Sequence, residues 1–119
     1  VEKIRKLLPD KIIGLSVGNE EELRESKIEF VDYIGVGPVY STISKNDAGG
    51  AIGYKGLKKM RKLAPEIPIV AIGGIKKEDI KNIAVIGVEG VSIISAISYS
   101  EHIKQTVEQM INEYKNYVE

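Results

Sequence analysis

Short apolar segments rich in β-branched residues alternate with segments of helical periodicity along the whole chain. The apolar segments carry almost no polar side chains, which is typical of parallel strands that are covered on both faces. This alternation predicts an α/β fold in which helices connect parallel strands. The predicted strands span residues 11–17, 33–36, 69–72 and 91–94, and the predicted helices span residues 19–29, 55–64, 77–86 and from about residue 100 onwards.

Local signals support several of these helix boundaries. Asn19, followed three residues later by Glu22, forms a capping box at a helix start. Gly87 suits the left-handed position just past a helix end, and Ser100 is suited to cap the last helix. Four apolar residues at the start of the chain indicate the end of one more helix, and they are Val1, Ile4, Leu7 and Leu8.

Four parallel strands with a helix after each correspond to half of a TIM (β/α)8 barrel. The fold class is therefore predicted as α/β, with the four βα units of this chain supplying half of one barrel domain. A complete small open α/β sheet is the alternative, and periodicity does not separate the two. The first residue is Val1 rather than a methionine, and we therefore expect a fragment. No internal repeat is predicted beyond the βα alternation.

Composition excludes several function classes. The chain has 119 residues, 17 basic and 17 acidic side chains and no cysteine. Neutral net charge does not favour nucleic acid or an anionic membrane as a partner, and the lack of cysteine excludes disulfides and thiolate chemistry. The single histidine, His102, excludes a multi-histidine zinc site within the chain. With no long apolar run, we expect a soluble cytoplasmic protein.

The loop after the second predicted strand is rich in hydroxyl groups. Thr42 and Ser44 flank Ile43, and Lys45 follows with a compact positive charge. Hydroxyl and ammonium groups can donate to phosphate oxygens. The alternative is an ordinary solvent-exposed polar loop.

Two later strand ends carry similar features. Gly74 closes a Gly-Gly pair just before a helix, where freed backbone N–H groups can hold an anion, and Ser95 follows Ile94 at the end of the fourth strand. TIM barrels often bind phosphate in the loops after strands seven and eight, which is where Gly74 and Ser95 fall if these are the last four strands. Ser16 ends the first strand, as a site residue or a satisfied buried serine.

Other charged residues have simpler interpretations. Asp32 precedes a strand, at the end remote from ligand sites, and is a poor catalytic candidate. A basic cluster near the end of the second full helix is expected to complement the helix dipole. This cluster consists of Lys58, Lys59, Arg61 and Lys62.

The ordered set of strand-end segments resembles the C-terminal half of the thiamine-phosphate synthase family. The segments are GLSV at 14–17, DYIGVGP at 32–38, TISK at 42–45, AIGGI at 71–75 and GVSIISA at 90–96. The resemblance implies a transferase of thiamine biosynthesis and a TIM (β/α)8 barrel, with residues 1–119 supplying about the last four βα units of its single domain. This enzyme joins hydroxymethylpyrimidine diphosphate to thiazole phosphate and releases pyrophosphate. The implied reaction is dissociative, so the protein's task is charge stabilisation and positioning.

The resemblance also assigns roles to individual residues. It implies that Lys45, the catalytic candidate, and Ser16 serve the pyrimidine diphosphate. The thiazole phosphate would be held by Thr42, Ile43, Ser44, Gly74, Ile94 and Ser95. The family uses Mg²⁺ against the leaving pyrophosphate, with its ligands expected in the missing N-terminal half and none in this chain.

Some residues depart from the family pattern. Ser41 and Ser44 stand where proline and threonine are common, and Gly18 stands where a histidine is common. The related thiazole tautomerase uses a histidine in the segment 16–18, so Gly18 favours the synthase. Two alternatives stay open: a tautomerase-like protein and an inactive phosphate-binding half-barrel. The small-molecule substrates are the expected partners, with self-association or pairing with the missing half also possible.

Overall fold

The four strands form one parallel sheet in which sequence neighbours are also spatial neighbours. A computed structural model describes residues 1–40, 51–93 and 103–117. The α/β prediction is confirmed for this part of the chain, whereas closure of a barrel stays a prediction. The strands are β1 Gly14–Val17, β2 Tyr33–Val36, β3 Ile69–Ile72 and β4 Gly90–Ser92.

Helices precede, connect and follow the strands. Asn19 caps α2 by accepting from the Glu22 N–H at 2.8 Å, as the capping box predicted. Gly87 ends α4 in the left-handed region with φ 90°, also as predicted. Within the described ranges no helix has the length and apolarity to cross a membrane. The helices are α1 Glu2–Leu7, α2 Glu20–Glu25, α3 Gly53–Leu63, α4 Ile80–Ile86 and α5 Ile103–Tyr117.

Two predicted helices are shorter than expected. The helix at 19–29 is interrupted because Ser26 turns to extended backbone, and a separate 3₁₀ turn, Ile28–Phe30, follows. The helix at 77–86 begins as a 3₁₀ turn, Lys77–Asp79, before the α-helical part. In both cases the apolar periodicity continued past the place where the backbone changes conformation.

Two predicted strands also have corrected bounds. β1 begins at Gly14 rather than at residue 11, because side chains take part of the backbone bonding before it, although the Ile13 carbonyl still accepts from the Asp32 N–H at 2.7 Å. The Lys11 carbonyl accepts from Arg5 at 3.0 Å, and the Ile13 N–H donates to Asp32 at 2.7 Å. β4 ends at Ser92 rather than at residue 94; Ile94 lies outside the described residues.

The two faces of the sheet differ in burial. Side chains on one face, including Val17, Ile34 and Ala71, are buried against the helices in a single core. The helices share this face because parallel βαβ crossovers are right-handed. On the opposite face Ser16 is exposed, and Ile72 keeps 43% of its surface accessible. A sheet of this class normally has both faces covered, so the helix-free face lacks its cover within the described residues.

The bases of the strands are held by two side-chain clusters, which we call strand-base clamps. In the first, Asp32 accepts from Arg5 at 2.8 Å and from the Ile13 N–H at 2.7 Å. In the second, Glu89 accepts from Arg61 at 2.8 Å and from the Ile69 N–H at 2.7 Å. Each clamp joins a helix end to the starts of two neighbouring strands, at the end of the sheet opposite the predicted site.

Candidate functional site

The carboxyl ends of all four strands meet at one edge of the sheet, because the strands are parallel. Ser16 lies near the end of β1, and the Gly73–Gly74 pair directly follows β3. This is the edge at which open and closed α/β folds bind ligands. The fold therefore places both of these predicted site residues at the expected end of the molecule.

The segments that follow β2 and β3 lie against each other. The Val39 N–H donates to the Ile72 carbonyl at 3.0 Å, and the Tyr40 N–H donates to the Gly73 carbonyl at 3.0 Å. A Cβ at Gly37 would lie 2.0 Å from the Ile72 oxygen, so only glycine allows this approach. The two neighbouring strand ends thus form one continuous backbone surface.

The residues on either side of the segment 41–50 are bonded to this surface. Tyr40 is bonded to Gly73, as described above. On the return, the Ile52 N–H donates to the Pro38 carbonyl at 3.0 Å, and the Gly53 N–H donates to the Val39 carbonyl at 2.7 Å. The residues on both sides of 41–50 are therefore fixed at the joined ends of β2 and β3.

The turn after β3 depends on its two glycines. Gly73 and Gly74 have φ values of 101° and 64°, a region that side chains with a Cβ rarely adopt. A Cβ at Gly73 would also lie 2.6 Å from the Pro38 Cα. Two residues on, the Lys76 N–H donates to the Asp79 carboxylate at 2.9 Å, which closes the start of the next helical segment. Both glycines are half-buried at the site edge, where the sequence predicts an anion contact.

Ser16 reaches the site from a different direction. It is exposed on the helix-free face and pairs in register with Gly35. β1 and β3 are separated by β2, so Ser16 lies about 10 Å from the β3 end by strand spacing alone. Ser16 and Gly74 can therefore contact opposite parts of one extended ligand, but not the same atom.

Most of the predicted site residues cannot be placed. Lys45, Thr42, Ile43, Ser44, Ile94 and Ser95 lie outside the described residues. The expected convergence of three strand ends on a single phosphate therefore stays a prediction. What the structure establishes is the shared edge and the joined ends of β2 and β3.

Tyr40 is a site-edge residue that sequence reasoning did not single out. Burial raises the pKa of its hydroxyl, and the Asp79 carboxylate acts in the same direction. Its side chain packs against the core while its N–H holds the Gly73 carbonyl. In the sequence, its position directly before Ser41 could have indicated that Tyr40 lies at the site edge. A neutral phenol at this edge can donate a hydrogen bond near pH 7.

The described residues do not fit the implied magnesium ion. Among them, no three His, Asp or Glu side chains come together in a way that could hold a metal. Hard divalent cations require several oxygen ligands. No step of a reaction is therefore derived through a metal in this part of the chain.

The fold and the strand-end edge define a parallel α/β protein of half-barrel size with a candidate anion site. The chain belongs to the thiamine monophosphate synthase family, whose sequence model matches residues 1–97. Thiamine-phosphate synthase 1 of Streptococcus pneumoniae strain R6 is 71% identical over 55 residues, which are 46% of this chain and 26% of that protein. The Staphylococcus haemolyticus thiamine-phosphate synthase is 57% identical over 53 residues, which are 44% of this chain and 25% of that protein.

A solved structure covers nearly the whole chain. The thiamine phosphate pyrophosphorylase of Pyrococcus furiosus superposes with a TM-score of 0.82 at 32% identity. The match includes 99% of this chain and 55% of that structure. The chain thus spans about half the length of this relative, and the resemblance to the C-terminal half of the family is confirmed at the level of the family.

Proposed function

We propose that the chain is the C-terminal half of a TIM-barrel thiamine-phosphate synthase, with residues 1–119 belonging to one barrel domain. The complete enzyme joins hydroxymethylpyrimidine diphosphate to thiazole phosphate and releases pyrophosphate. The observation that carries this proposal is the joined ends of β2 and β3. They fix both flanks of residues 41–50 beside Gly73 and Gly74 at the ligand-binding edge.

Each site residue has a proposed role in this reaction. Charge-assisted hydrogen bonds to phosphate contribute roughly 1.5–3 kcal/mol each. Lys45 and Ser16 would hold the pyrimidine diphosphate, with the Lys45 ammonium stabilising charge that develops on the leaving pyrophosphate. The thiazole phosphate would be held by Thr42, Ile43, Ser44, Gly74, Ile94 and Ser95.

The remaining requirements belong to the rest of the barrel. The proposed Mg²⁺ would be held by residues outside those described, and a cytoplasmic location stays a prediction. We therefore expect this 119-residue chain to be inactive by itself and active only when the preceding half of the barrel is present.

The tautomerase alternative is less well supported. Its histidine position corresponds to the segment 16–18, where Gly18 stands. The Gly18 N–H donates to the Glu22 carboxylate at 3.1 Å. A Cβ at Gly18 would lie 3.2 Å from that carboxylate. The loop after β1 is thus closed by an acidic side chain and offers no imidazole for proton transfer.

A product assay tests the proposal. The chain would be combined with the preceding half of a family member, both substrates and Mg²⁺, and thiamine phosphate would be measured. Lys45→Met should reduce the rate by at least tenfold, whereas Lys55→Met, at an exposed position in α3, should leave it unchanged. Equal rates for the two variants would refute the proposed catalytic role of Lys45. Turnover by the unaccompanied chain would refute the half-barrel proposal.

A further inference from the structure

The two halves of the chain share a sequence pattern that the βα alternation concealed. Residues 4–10 read IRKLLPD, and residues 60–66 read MRKLAPE. Five of these seven positions are identical or exchange acid for acid, and the other two exchange apolar residues. The first segment runs from α1 into the following turn, and the second runs from α3 into the equivalent turn.

The strand-base clamps repeat with the same pattern. Arg5 and Arg61 occupy equivalent positions, and each donates to an acid that also accepts a strand-start N–H at 2.7 Å. The secondary contacts match as well. Arg5 also donates to the Lys11 and Phe30 carbonyls, and Arg61 donates to those of Ile67 and Gly87. Ile67 is equivalent to Lys11, and Gly87 is equivalent to Phe30 once one extra residue after β3 is allowed for.

Strand register repeats in the same way. β1 pairs with β2 with Gly14 opposite Tyr33, and β3 pairs with β4 with Val70 opposite Gly90. In this superposition of the two sequences Val70 is equivalent to Gly14, and Gly90 is equivalent to Tyr33. The chain is therefore two copies of one βαβ unit with its preceding helix: unit 1, residues 1–40, and unit 2, residues 57–93.

The boundary between the units has consequences for the ends of the sheet. β2 of unit 1 pairs with β3 of unit 2, with Ile34 opposite Ile69. Within the described residues the outer edges of β1 and β4 pair with no strand. β4 is the repeat equivalent of β2, and β1 is the equivalent of β3. The free edges of β4 and β1 are thus equivalent to the edges of β2 and β3 that pair with each other.

We propose that this chain binds a second copy of itself, and that β4 of each copy pairs in parallel with β1 of the other. Repeating the β2–β3 register places Val91 of one copy opposite Ile13 of the second. Two such junctions, related by a two-fold axis, close an eight-stranded ring with no free edge. The ring is proposed for this chain without the preceding half of the barrel, because in the proposed enzyme that half would pair with the same two edges. The inference goes beyond the proposed enzymatic function.

The stagger of the strands supports closure. A row across the sheet starts at Leu15, passes Ile34 and Ile69 and reaches Glu89. The repeated junction continues this row to Lys11 of the second copy, four residues before Leu15. Two copies therefore accumulate a stagger of about eight residues, which is the shear of a TIM barrel.

Closure also covers the helix-free face. Tyr33 and Ile72 expose 38% and 43% of their surfaces there. The Tyr33 ring lies over Gly14, where a Cβ would be 2.2 Å from the ring. In the closed ring these side chains fill the interior, as inward-facing residues do in barrels of this size.

The helices at the two ends are compatible with this arrangement. Glu20 on α2 pairs with Lys59 on α3, and its repeat equivalent, Lys77, contacts Gln109 on α5. α5 packs against α4 and contributes Met110 to the core, so it is placed to cover the outside of the new junction. α1 of the second copy would lie at the same place as this cover, so the ring displaces α1 and loses the Arg5 contacts of the first clamp. The displacement exposes no core residue, because α1 contributes none.

Cysteine cross-linking tests the ring, because the natural sequence has no cysteine. Ile12→Cys and Gly90→Cys would be combined in one chain. These positions lie at opposite edges of the sheet, three strand spacings and over about 10 Å apart, beyond the reach of a disulfide within one copy. In the ring they lie opposite each other at both junctions. The matched control combines Ile12→Cys with Val85→Cys, an exposed position on α4.

The expected result is a mass of two 13.1 kDa chains in sedimentation equilibrium and a covalent dimer after oxidation of the Ile12/Gly90 variant alone. Three outcomes would overturn the ring: a monomer at all concentrations, equal cross-linking of a single Ile12→Cys variant, or a ladder of higher oligomers. None of these bears on the thiamine phosphate assay, so the two proposals fail separately.

Discussion

Arg61 contacts Glu89 at 2.8 Å, and through this contact the end of α3 is joined to the residue that precedes β4. The guanidinium also reaches the Ala64 and Ile67 carbonyls, so one side chain holds the turn between α3 and β3. Arg61 is only 13% exposed, whereas Glu89 is 52% exposed. The arginine is therefore the member of the clamp on which the packing depends.

Replacing Arg61 should destabilise the fold. Arg61→Met keeps the apolar stem but leaves several partly buried carbonyl oxygens without a donor, so a loss of about 2–3 kcal/mol in the free energy of unfolding is expected. Urea denaturation would measure it. Lys62→Met, at the neighbouring exposed position, should change stability by less than about 0.5 kcal/mol. Similar losses in both variants would contradict the clamp's importance.

Asp32 should make stability depend on acid pH. Hydrogen bonds from the Ile13 N–H and from Arg5 lower the pKa of its carboxyl. The stabilisation is therefore present above the unfolded-state pKa, near 3.9, and is lost as pH falls through the folded-state value. Asp32→Asn should remove this part of the acid dependence between neutral pH and about pH 3. Thermal unfolding across this range would measure it, with Asp10→Asn as the control; unchanged slopes for Asp32→Asn would refute the assignment.

The two glycines around β2 should differ sharply in their tolerance of a methyl group. At Gly37 the added Cβ would meet the Ile72 oxygen at 2.0 Å, whereas at Gly35 nothing lies within 4 Å. Gly37→Ala should cost at least about 2 kcal/mol, because backbone must shift to relieve the overlap. Gly35→Ala should stay within about 0.5 kcal/mol of the parent. Chemical denaturation of the two variants would measure this difference in the free energy of unfolding. Equal stabilities would show that the ends of β2 and β3 are not in contact.

Tyr114 should attach α5 to the body of the fold. Its hydroxyl donates to the Val88 carbonyl, and burial raises the pKa of that hydroxyl. Tyr114→Phe keeps the ring but removes the donor, so a loss of about 1 kcal/mol is expected. Hydrogen exchange of the α5 amides should become faster in this variant than in Asn112→Gln, an exposed change on the same helix. No difference between the two would show that ring packing alone holds α5.

Strand positions were the most predictable part of the fold. Tyr33–Val36 and Ile69–Ile72 were predicted residue for residue, because their apolar runs are bounded by turn-forming residues. The start of β1 was not predictable from periodicity. Residues 11–13 look like strand, but the Lys11 carbonyl bonds to the Arg5 side chain and the Ile13 N–H bonds to the Asp32 side chain. The Asp32 contact joins positions far apart in sequence.

The roles of charged residues were predicted less well. Asp32 was correctly placed away from the ligand edge, but its part in a clamp required the position of Arg5. Arg61 and Lys59 were assigned to the helix dipole, whereas the structure pairs them with Glu89 and Glu20. The internal repeat was wrongly dismissed, although the two similar segments before β1 and β3 were visible in the sequence.

Only part of the candidate site could be compared with the sequence-based hypothesis. Ser16 and Gly74 lie at the predicted edge because parallel strands bring their carboxyl ends together. The joined ends of β2 and β3 were not foreseen, since the close approach at Gly37 depends on a partner strand more than 30 residues away.

Because of where the clamps lie, sequence changes in two parts of this chain should have different consequences. Strand order is secured at the base of the sheet, remote from the edge where ligands are expected to bind. In the proposed enzyme, sequence change around residues 41–50 would alter which anion is recognised and leave the clamps intact, whereas change at Arg5 or Arg61 would affect the scaffold and not the recognition of the ligand.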